Sequence, residues 1–130
     1  MNLYSQMIFA TDHGDADEYS ALFADEGEII LGDEHHKQGR EAIREWRVRG
    51  VGAREGWNRR HWYGMINLKR IDQSSVASEC YIMARNSRPG ERPEIIDTGI
   101  FRDVIVLERG EWKFRRRQLS FDYHNSHLPD

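Results

Sequence analysis

Apart from the short β-rich run at residues 28–31, the hydrophobic pattern of this chain has a helical period up to about residue 52 and a period of two after it. This change constrains the fold more than any other sequence feature. Before that point, apolar residues recur every three or four positions, as on the buried face of a helix. After it, apolar and polar residues alternate, as along a strand with one buried face. Helices followed by strands indicate an α+β fold in which the helices pack on one face of a sheet.

Two helices are predicted at the start of the chain, one over residues 3–12 and one after the polar break at residues 12–14. The apolar residues that define their buried faces are Leu3, Tyr4, Met7, Ile8, Tyr19, Leu22 and Phe23. Asp15 is a good N-cap for the second helix, because its carboxylate can accept a hydrogen bond from the free amide of Glu18. We expect Gly27 to end this helical pattern.

A short strand and a third helix are predicted next. The β-rich run at residues 28–31 indicates a strand or hairpin arm, and the polar residues 32–37 that follow it are typical of a turn. Helical spacing resumes at residues 39–47. We expect Gly50 and Gly52 to end this third helix, since glycine commonly follows the last helical residue.

Four long strands are predicted in the second part of the chain, at residues 57–71, 75–86, 94–108 and 111–123. The links at residues 72–74 and 109–110 are as short as hairpin loops, so the strands that they join are expected to be antiparallel neighbours. The sequence therefore predicts a single α+β domain over residues 1–130. In this domain, three N-terminal helices pack on the concave face of a curved antiparallel sheet.

Charge and composition restrict the classes of partner. Nineteen basic and 22 acidic residues give a net charge of -3, which lacks the broad attraction that nucleic acids or anionic membranes require. No stretch approaches the ~20 apolar residues of a membrane span, and residues 1–10 lack the basic start of a signal peptide. The single cysteine, Cys80, is expected to be a buried inert thiol. These features predict a cytoplasmic protein with no nucleic-acid or membrane partner.

Short motifs spread over nearly the whole chain carry a resemblance to a known family. They are Thr11–Asp15, Leu22–Gly27, Gly39–Ile43, Arg60–His61, Thr98–Asp103, and Gly110–Phe114 with Arg117. In this order, the chain resembles the SnoaL-like branch of the nuclear transport factor 2-like superfamily. The resemblance implies a cone-shaped, cystatin-like α+β fold with an apolar small-molecule pocket between sheet and helices. It also implies a homo-oligomer, either a dimer or a trimer.

Two residues match a catalytic pair of that superfamily. Scytalone dehydratase and similar lyases carry an Asp at the end of the first helix and a hydrogen-bonded His in the first long strand. Asp12 and His61 match these positions. A histidine suits proton removal beside a carbonyl, and a carboxylate behind it fixes the tautomer and stabilises the imidazolium. The resemblance thus implies that Asp12 orients and His61 transfers the proton.

Three further residues are predicted to contact the substrate. Strand alternation places Tyr63 and Met65 on the same face as His61. The Tyr63 phenol is then positioned to polarise a substrate carbonyl, and Met65 to line the apolar wall. Asn86 falls near the place of a second catalytic histidine in the dehydratase. It can hold an oxygen but cannot exchange protons as imidazole does, so the substrate must differ from that of the dehydratase.

The other charged groups have structural interpretations. We expect His124 and His127 to be solvated histidines of the tail, and neither a metal nor a cofactor is predicted. An inward-facing Arg116 would need a carboxylate partner, for which Asp103 and Asp122 are candidates. Without the resemblance, His61 would be an ordinary partly buried histidine and Asp12 an exposed turn residue.

The leading hypothesis is a cofactor-independent small-molecule enzyme. It would act as a dehydratase, isomerase or cyclase on a cyclic or polyketide-like hydroxy-carbonyl compound. The alternative is a non-catalytic ligand-binding or assembly subunit, similar to the small subunits of ring-hydroxylating dioxygenases. A hydrolase in which Asp12 activates water is a third hypothesis. An enzyme requires Asp12 and His61 within hydrogen-bond reach inside a pocket, whereas an assembly subunit requires an exposed apolar surface.

Overall fold

The computed structural model describes residues 2–52 and 58–125, and within these ranges the helices precede the long strands. The helices are α1 (Leu3–His13), α2 (Ala16–Ala21) and α3 (Arg40–Gly52). The strands are β1 (Phe23–Leu31), β2 (His35–Gln38), β3 (Asn58–Asp72), β4 (Ser75–Ser87), β5 (Glu94–Glu108) and β6 (Glu111–His124). In the described ranges, no helix is long and apolar enough to cross a membrane.

The six strands form one curved, open sheet in the order β2-β1-β6-β5-β4-β3. Strands β3 to β6 pair antiparallel with their sequence neighbours. The two short links predicted this for β3 with β4 and for β5 with β6. Strand β1 pairs antiparallel with β2 and parallel with β6. This parallel pair joins segments far apart in the chain, so no link length could have indicated it. The predicted α+β fold is confirmed.

The predicted boundaries of the first strand and the third helix were wrong. The second helix ends at Ala21, and β1 already begins at Phe23. Gly27 therefore lies inside a strand. A Cβ atom there would come within 2.9 Å of the Ala24 carbonyl oxygen and 3.0 Å of that of Phe114, so this glycine allows close backbone packing. Gly50 lies within α3, which continues to Gly52.

The predicted cap and long strands agree closely with the structure. The Glu18 amide donates to Asp15 Oδ1 at 2.9 Å, as expected of an N-cap. The predicted start of the first long strand, Trp57, lies outside the described residues. Apolar side chains of α1 to α3 pack with the inward-facing residues of the sheet in one buried cluster. Cys80 belongs to this cluster, and burial raises the pKa of its thiol to about 11.

A β-bulge decides which arginine enters the core. Val104 pairs with Arg116 and Ile105 pairs with Phe114, so Arg115 is an extra residue on β6. The extra residue inverts the alternation, and the prediction of an inward-facing Arg116 was wrong. Arg117 is buried instead, while Arg116 faces outward and pairs with Glu28 at 3.4 Å. Of the two candidate carboxylates, Asp103 and Asp122, Asp103 lies in the core, but it pairs with Arg117 rather than with Arg116.

The Asp103–Arg117 ion pair lies at the centre of the core. Arg117 Nε donates to Asp103 Oδ1 at 3.0 Å, and Nη2 donates to Oδ2 at 3.1 Å. The Tyr4 hydroxyl donates to the same Oδ2 at 2.6 Å, and the Phe101 ring stacks 3.7 Å from the guanidinium carbon. Burial alone would lower the pKa of Arg117, but the adjacent Asp103 carboxylate outweighs it and raises that pKa well above its ordinary value.

Removing the carboxylate from this pair should destabilise the fold strongly. We expect Asp103→Asn to lower the free energy of unfolding in urea by about 3–5 kcal/mol, because it leaves an uncompensated charge on Arg117 in the core. Glu79→Gln is the matched control, because its partner Arg102 is 4.0 Å away and both side chains are exposed. This control should cost at most about 1 kcal/mol. Equally small losses in the two variants would contradict a central role for the pair.

Candidate functional site

Asp12 and His61 meet at the end of the first helix. Asp12 lies in the last turn of α1, which ends at His13 and is followed by Gly14 in the left-handed conformation with φ of 73°. Its Oδ1 atom lies 2.6 Å from His61 Nδ1, and its Oδ2 accepts from the His61 backbone amide at 3.3 Å. The Asp12 side chain is 5% exposed and that of His61 is 12% exposed. The interpretation of Asp12 as an exposed turn residue is therefore wrong.

The carboxylate assigns the tautomer of the imidazole. An ionised Asp12 can only accept, so the short bond to His61 requires a proton on Nδ1. The lone pair of the neutral ring then resides on Nε2, the nitrogen suited to take a proton. If Nε2 becomes protonated, the adjacent carboxylate stabilises the resulting imidazolium. The pair therefore has the arrangement of an oriented general base.

His61 lines a small cavity between the helices and the concave face of the sheet. The cavity volume is about 60 Å³, which is room for about two water molecules. Apolar residues such as Trp46 and Phe101 form part of the wall. Its polar lining residues are Thr11, Tyr19, Arg47, Arg59, His61, Tyr63, Asp97 and Arg117. Three larger surface grooves have volumes of about 360, 380 and 470 Å³, and His61 lines none of them. The 380 Å³ groove shares Leu31, Leu119 and Phe121 with the His61 cavity. A ring-sized ligand would have to spread the lining side chains of the His61 cavity.

Tyr63 lies in the cavity wall beside His61, as the alternation predicted. Its hydroxyl oxygen accepts from Arg117 Nη1 at 3.0 Å, so the hydroxyl proton can point elsewhere. Burial raises the pKa of Tyr63 to about 12, although the nearby charge of Arg117 opposes this rise. Tyr63 therefore remains a neutral hydrogen-bond donor near neutral pH.

Met65 does not line the cavity, and this part of the prediction was wrong. Gly64 pairs with Tyr81 while Asn67 pairs with Glu79, so β3 carries one extra residue between them. Met65 lies in this bulge with φ of 54°, and it is 81% exposed. The extra residue inverts the faces of the strand, so counting alternate residues from His61 gives the wrong face after Gly64.

Asn86 lies behind the cavity wall. It faces Arg59 across the β3–β4 pair, and its Oδ1 accepts from Arg59 Nε at 2.8 Å. Arg59, which lines the cavity, is the residue through which Asn86 acts on the site. The Asn86 amide oxygen is thus directed to a guanidinium, and Asn86 is not among the residues that line the cavity. Direct contact between Asn86 and a substrate oxygen stays a prediction.

His124 is part of a second Asp–His pair. Its Nδ1 lies 2.7 Å from Asp97 Oδ1, and its ring stacks on Phe121 at 4.0 Å. The expectation of a solvated tail was wrong for His124, while His127 lies outside the described residues. Register explains the pairing, because His124 lies opposite Asp97 on neighbouring strands. Within residues 2–52 and 58–125, no cluster of three His, Cys, Asp or Glu side chains could hold a metal ion.

Arg47 and Arg59 bring further positive charge to the cavity, and neither was predicted from the sequence. Arg47 extends from α3, and its Nη2 donates to the Thr11 carbonyl at 2.8 Å. Burial lowers the pKa of Arg47. It also lowers the pKa of Arg59, which the charge of Arg47 lowers further while Asp97 opposes the change. The inward face of the third helix, on which Arg47 lies, was the signal that could have found it.

Comparison with known proteins identifies the family. The model of the SnoaL-like domain matches residues 1–118 of this chain. The chain belongs to the SnoaL-like family. This SnoaL-like chain has no match among curated proteins.

Solved structures share the fold of this SnoaL-like protein. A putative scytalone dehydratase from Novosphingobium aromaticivorans is 23% identical over 94% of this chain and 83% of its own, with a TM-score of 0.79. Aln2 from a Streptomyces species is 24% identical over 92% of this chain and 85% of its own, with a TM-score of 0.84. ActVI-ORFA from Streptomyces coelicolor is 23% identical over 92% of each chain, with a TM-score of 0.81. At these identities the likeness shows the fold alone.

The raised pKa of Tyr63 predicts a loss of stability at alkaline pH. Unfolded Tyr63 loses its proton near its ordinary pKa of 10.0, whereas the folded residue keeps it until about 12. The unfolded state therefore binds fewer protons in this window, and the free energy of unfolding falls as the pH rises through it. Denaturant titrations should show that the free energy of unfolding falls by about 2 kcal/mol less in Tyr63→Phe than in the wild type between pH 10 and 12. Equal losses in the two proteins would contradict the assignment.

Proposed function

We propose that this SnoaL-like protein is a cofactor-independent small-molecule enzyme in which His61 transfers a proton and Asp12 orients it. The observation that carries the proposal is the 2.6 Å bond between the Asp12 carboxylate and His61 Nδ1. Both side chains are nearly buried, and His61 lines the cavity. A carboxylate withdrawn from water needs compensating bonds, and His61 supplies two of them. The same bonds hold the imidazole in the tautomer that a general base needs.

The reaction class follows from this base. His61 Nε2 removes the proton from the carbon beside a substrate carbonyl, and the electron pair of that C–H bond forms an enolate. In a dehydration, the enolate re-forms the carbonyl as the C–O bond to a β-hydroxyl breaks, and the imidazolium proton leaves with that oxygen as water. In an isomerisation or cyclisation, the proton returns to another atom of the substrate. The imidazole is regenerated neutral in each case.

Tyr63 is the proposed donor to the developing enolate oxygen. Arg117 donates to its hydroxyl oxygen, and Asp103 in turn fixes Arg117. A hydroxyl that already accepts from a cation becomes a stronger donor through its own proton. Donors prepositioned where charge develops stabilise the transition state more than the ground state. Asp12–His61 and Tyr63 would thus act on the same carbonyl unit.

The proposed substrate class is a cyclic or polyketide-like hydroxy-carbonyl compound. The resemblance to dehydratases of this fold supports it, as does the structural relative named a putative scytalone dehydratase. Because the His61 cavity has a volume of only about 60 Å³, binding such a ring must be accompanied by movement of its lining side chains. In the hydrolase hypothesis, Asp12 activates water instead. Analysis of the product distinguishes this reaction from a dehydration, an isomerisation or a cyclisation.

A second candidate function rests on the outward face of the sheet. Trp62 and Met83 pair across β3 and β4, and Tyr81 follows on the same face; all three are exposed apolar side chains. Contiguous apolar surface of this kind is typical of protein interfaces. It supports a homo-oligomer, a dimer or a trimer, and it is also the surface that a non-catalytic assembly subunit requires. The cytoplasmic location, the single domain over residues 1–130 and the lack of a nucleic-acid partner remain predictions.

Proton exchange tests the enzymatic proposal without knowledge of the substrate. A panel of cyclic hydroxy-ketones is incubated with the protein in D₂O, and mass spectrometry records deuterium uptake beside the carbonyl and loss of water. We expect the wild type to accelerate one or both for some members. His61→Gln should reduce the rate by about 10²–10⁴-fold, as for loss of a general base. Asp12→Asn should also reduce it, because the imidazole loses the group that orients it.

A matched control comes from a surface pair of the same chemistry. His36 Nε2 lies 2.7 Å from Glu28 Oε2, but the His36 side chain is exposed and does not line the cavity. His36→Gln should leave the exchange rate unchanged. Exchange that is absent throughout the panel, or equal in the wild type and His61→Gln, would contradict the enzyme and favour the assembly subunit.

A further inference from the structure

Arg47 is a buried cation with no carboxylate within ion-pair distance in the described part of the chain, although the charge of Asp12 acts on it from further away. The residue is 6% exposed, and its Nη2 donates to the Thr11 carbonyl oxygen at 2.8 Å. Its Nε is buried and has no hydrogen-bond partner among the described residues. The Tyr19 ring, 4.8 Å from the guanidinium carbon, offsets part of the charge. A buried donor on a cation is expensive to leave unsatisfied, so this site lacks an acceptor.

Comparison with Arg117 shows what is missing. Both guanidiniums are buried in the same region and both line the His61 cavity. Arg117 forms two bonds to the Asp103 carboxylate, whereas Arg47 is held by a backbone carbonyl and an aromatic face. The bond to Thr11 explains how Arg47 is positioned, but it uses only one of five N–H donors. It does not explain why a cation rather than an apolar side chain lies there.

The surroundings of Arg47 favour an anion in the cavity. Arg59 lines the same space, and the charge of Arg47 acts on it strongly enough to contribute to lowering its pKa. Arg47, Arg59 and Arg117 line this small volume, and among the described residues Asp97 is the one carboxylate that lines it with them. The excess of positive charge would attract an anion. His61 borders this volume as well, so an anion held there would lie next to the proposed base.

We propose that Arg47 is an anion-binding residue of this cavity and that the ligand carries an anionic oxygen, which accepts a hydrogen bond from Arg47 Nε. The oxygen belongs either to a carboxylate of the substrate or to the enolate that forms when His61 removes a proton. Guanidinium groups are well suited to both, because their planar donors match such oxygens. The assignment of this anion as substrate rests on the proposed function, whereas anion binding by itself does not.

NMR of the full chain tests the proposal directly. The Nε–Hε signal of Arg47 is assigned by its loss in Arg47→Lys and is then followed during titration with acetate and with neutral acetamide. Acetate is small enough for the cavity as it stands. We expect acetate, but not acetamide, to shift the signal with saturation, and Arg47→Met to weaken acetate binding at least tenfold. Arg47→Lys, which retains a charge, should weaken binding less and guards against failure of Arg47→Met to fold.

A second arm distinguishes the two sources of the anion. 4-Nitrophenol absorbs differently as phenol and as phenolate, and a preference for its phenolate shows that the site stabilises an enolate-like oxygen. Binding of acetate alone identifies a carboxylate ligand, and binding of phenolate alone identifies the enolate. Either result supports the proposal. No saturable response to acetate together with no preference for phenolate would overturn it.

Arg44→Met is the matched control for general charge effects. Arg44 lies on the same helix, but it is exposed and pairs with Asp17 at 2.6 Å. Its removal should leave the acetate titration unchanged. Weakening equal to that of Arg47→Met would mean that acetate responds only to net charge, and the proposal would fail.

The two proposals can fail separately. If His61→Gln abolishes proton exchange but Arg47 binds neither probe, the proposed function stands and the anion site is wrong. If Arg47 binds acetate or phenolate while proton exchange is independent of His61, the anion site stands and the enzymatic role of the Asp12–His61 pair is wrong.

Discussion

The buried ion pair between Asp103 and Arg117 is the interaction on which the rest of the structure depends. It joins β5 to β6 at the centre of the sheet, and each partner makes a further bond to another element. Asp103 accepts from Tyr4 of α1, and Arg117 donates to Tyr63 of β3. A charge pair withdrawn from water is tolerated only where such bonds satisfy its remaining donors and acceptors. This ion pair therefore fixes α1 and β3, which carry Asp12 and His61, relative to the centre of the sheet.

The candidate site is built on the two elements that this ion pair contacts, α1 and β3. Helix α1 is held to the sheet near its start by Tyr4 and carries Asp12 in its last turn, about 12 Å further along its axis. Strand β3 presents His61 and Tyr63 on the same face, one toward Asp12 and the other toward Arg117. The cavity between them is bordered by base, phenol and guanidinium groups. The same packing that stabilises the core thus positions the groups that would handle a proton and an oxygen.

The sequence predicted the order of elements and the Asp12–His61 pair because both depend on features visible in the chain. The change of hydrophobic period marks the switch from helices to strands, and family motifs locate the two residues. The side-chain orientations predicted for Met65 and Arg116 were wrong, because one extra residue in β3 and one in β6 invert the alternation. The spacing of residues in a sequence does not show a bulge. His124 and Arg47 were missed because their environments are set by strand register and helix packing.

NMR titration of His61 tests the central claim most directly. With ¹⁵N-labelled histidine, the wild type should show a neutral ring protonated on Nδ1 with the lone pair on Nε2. Asp12→Asn should lower the pKa of His61, because the imidazolium loses its neighbouring carboxylate. A mixture of tautomers in the wild type, together with an unchanged pKa of His61 in Asp12→Asn, would contradict the account.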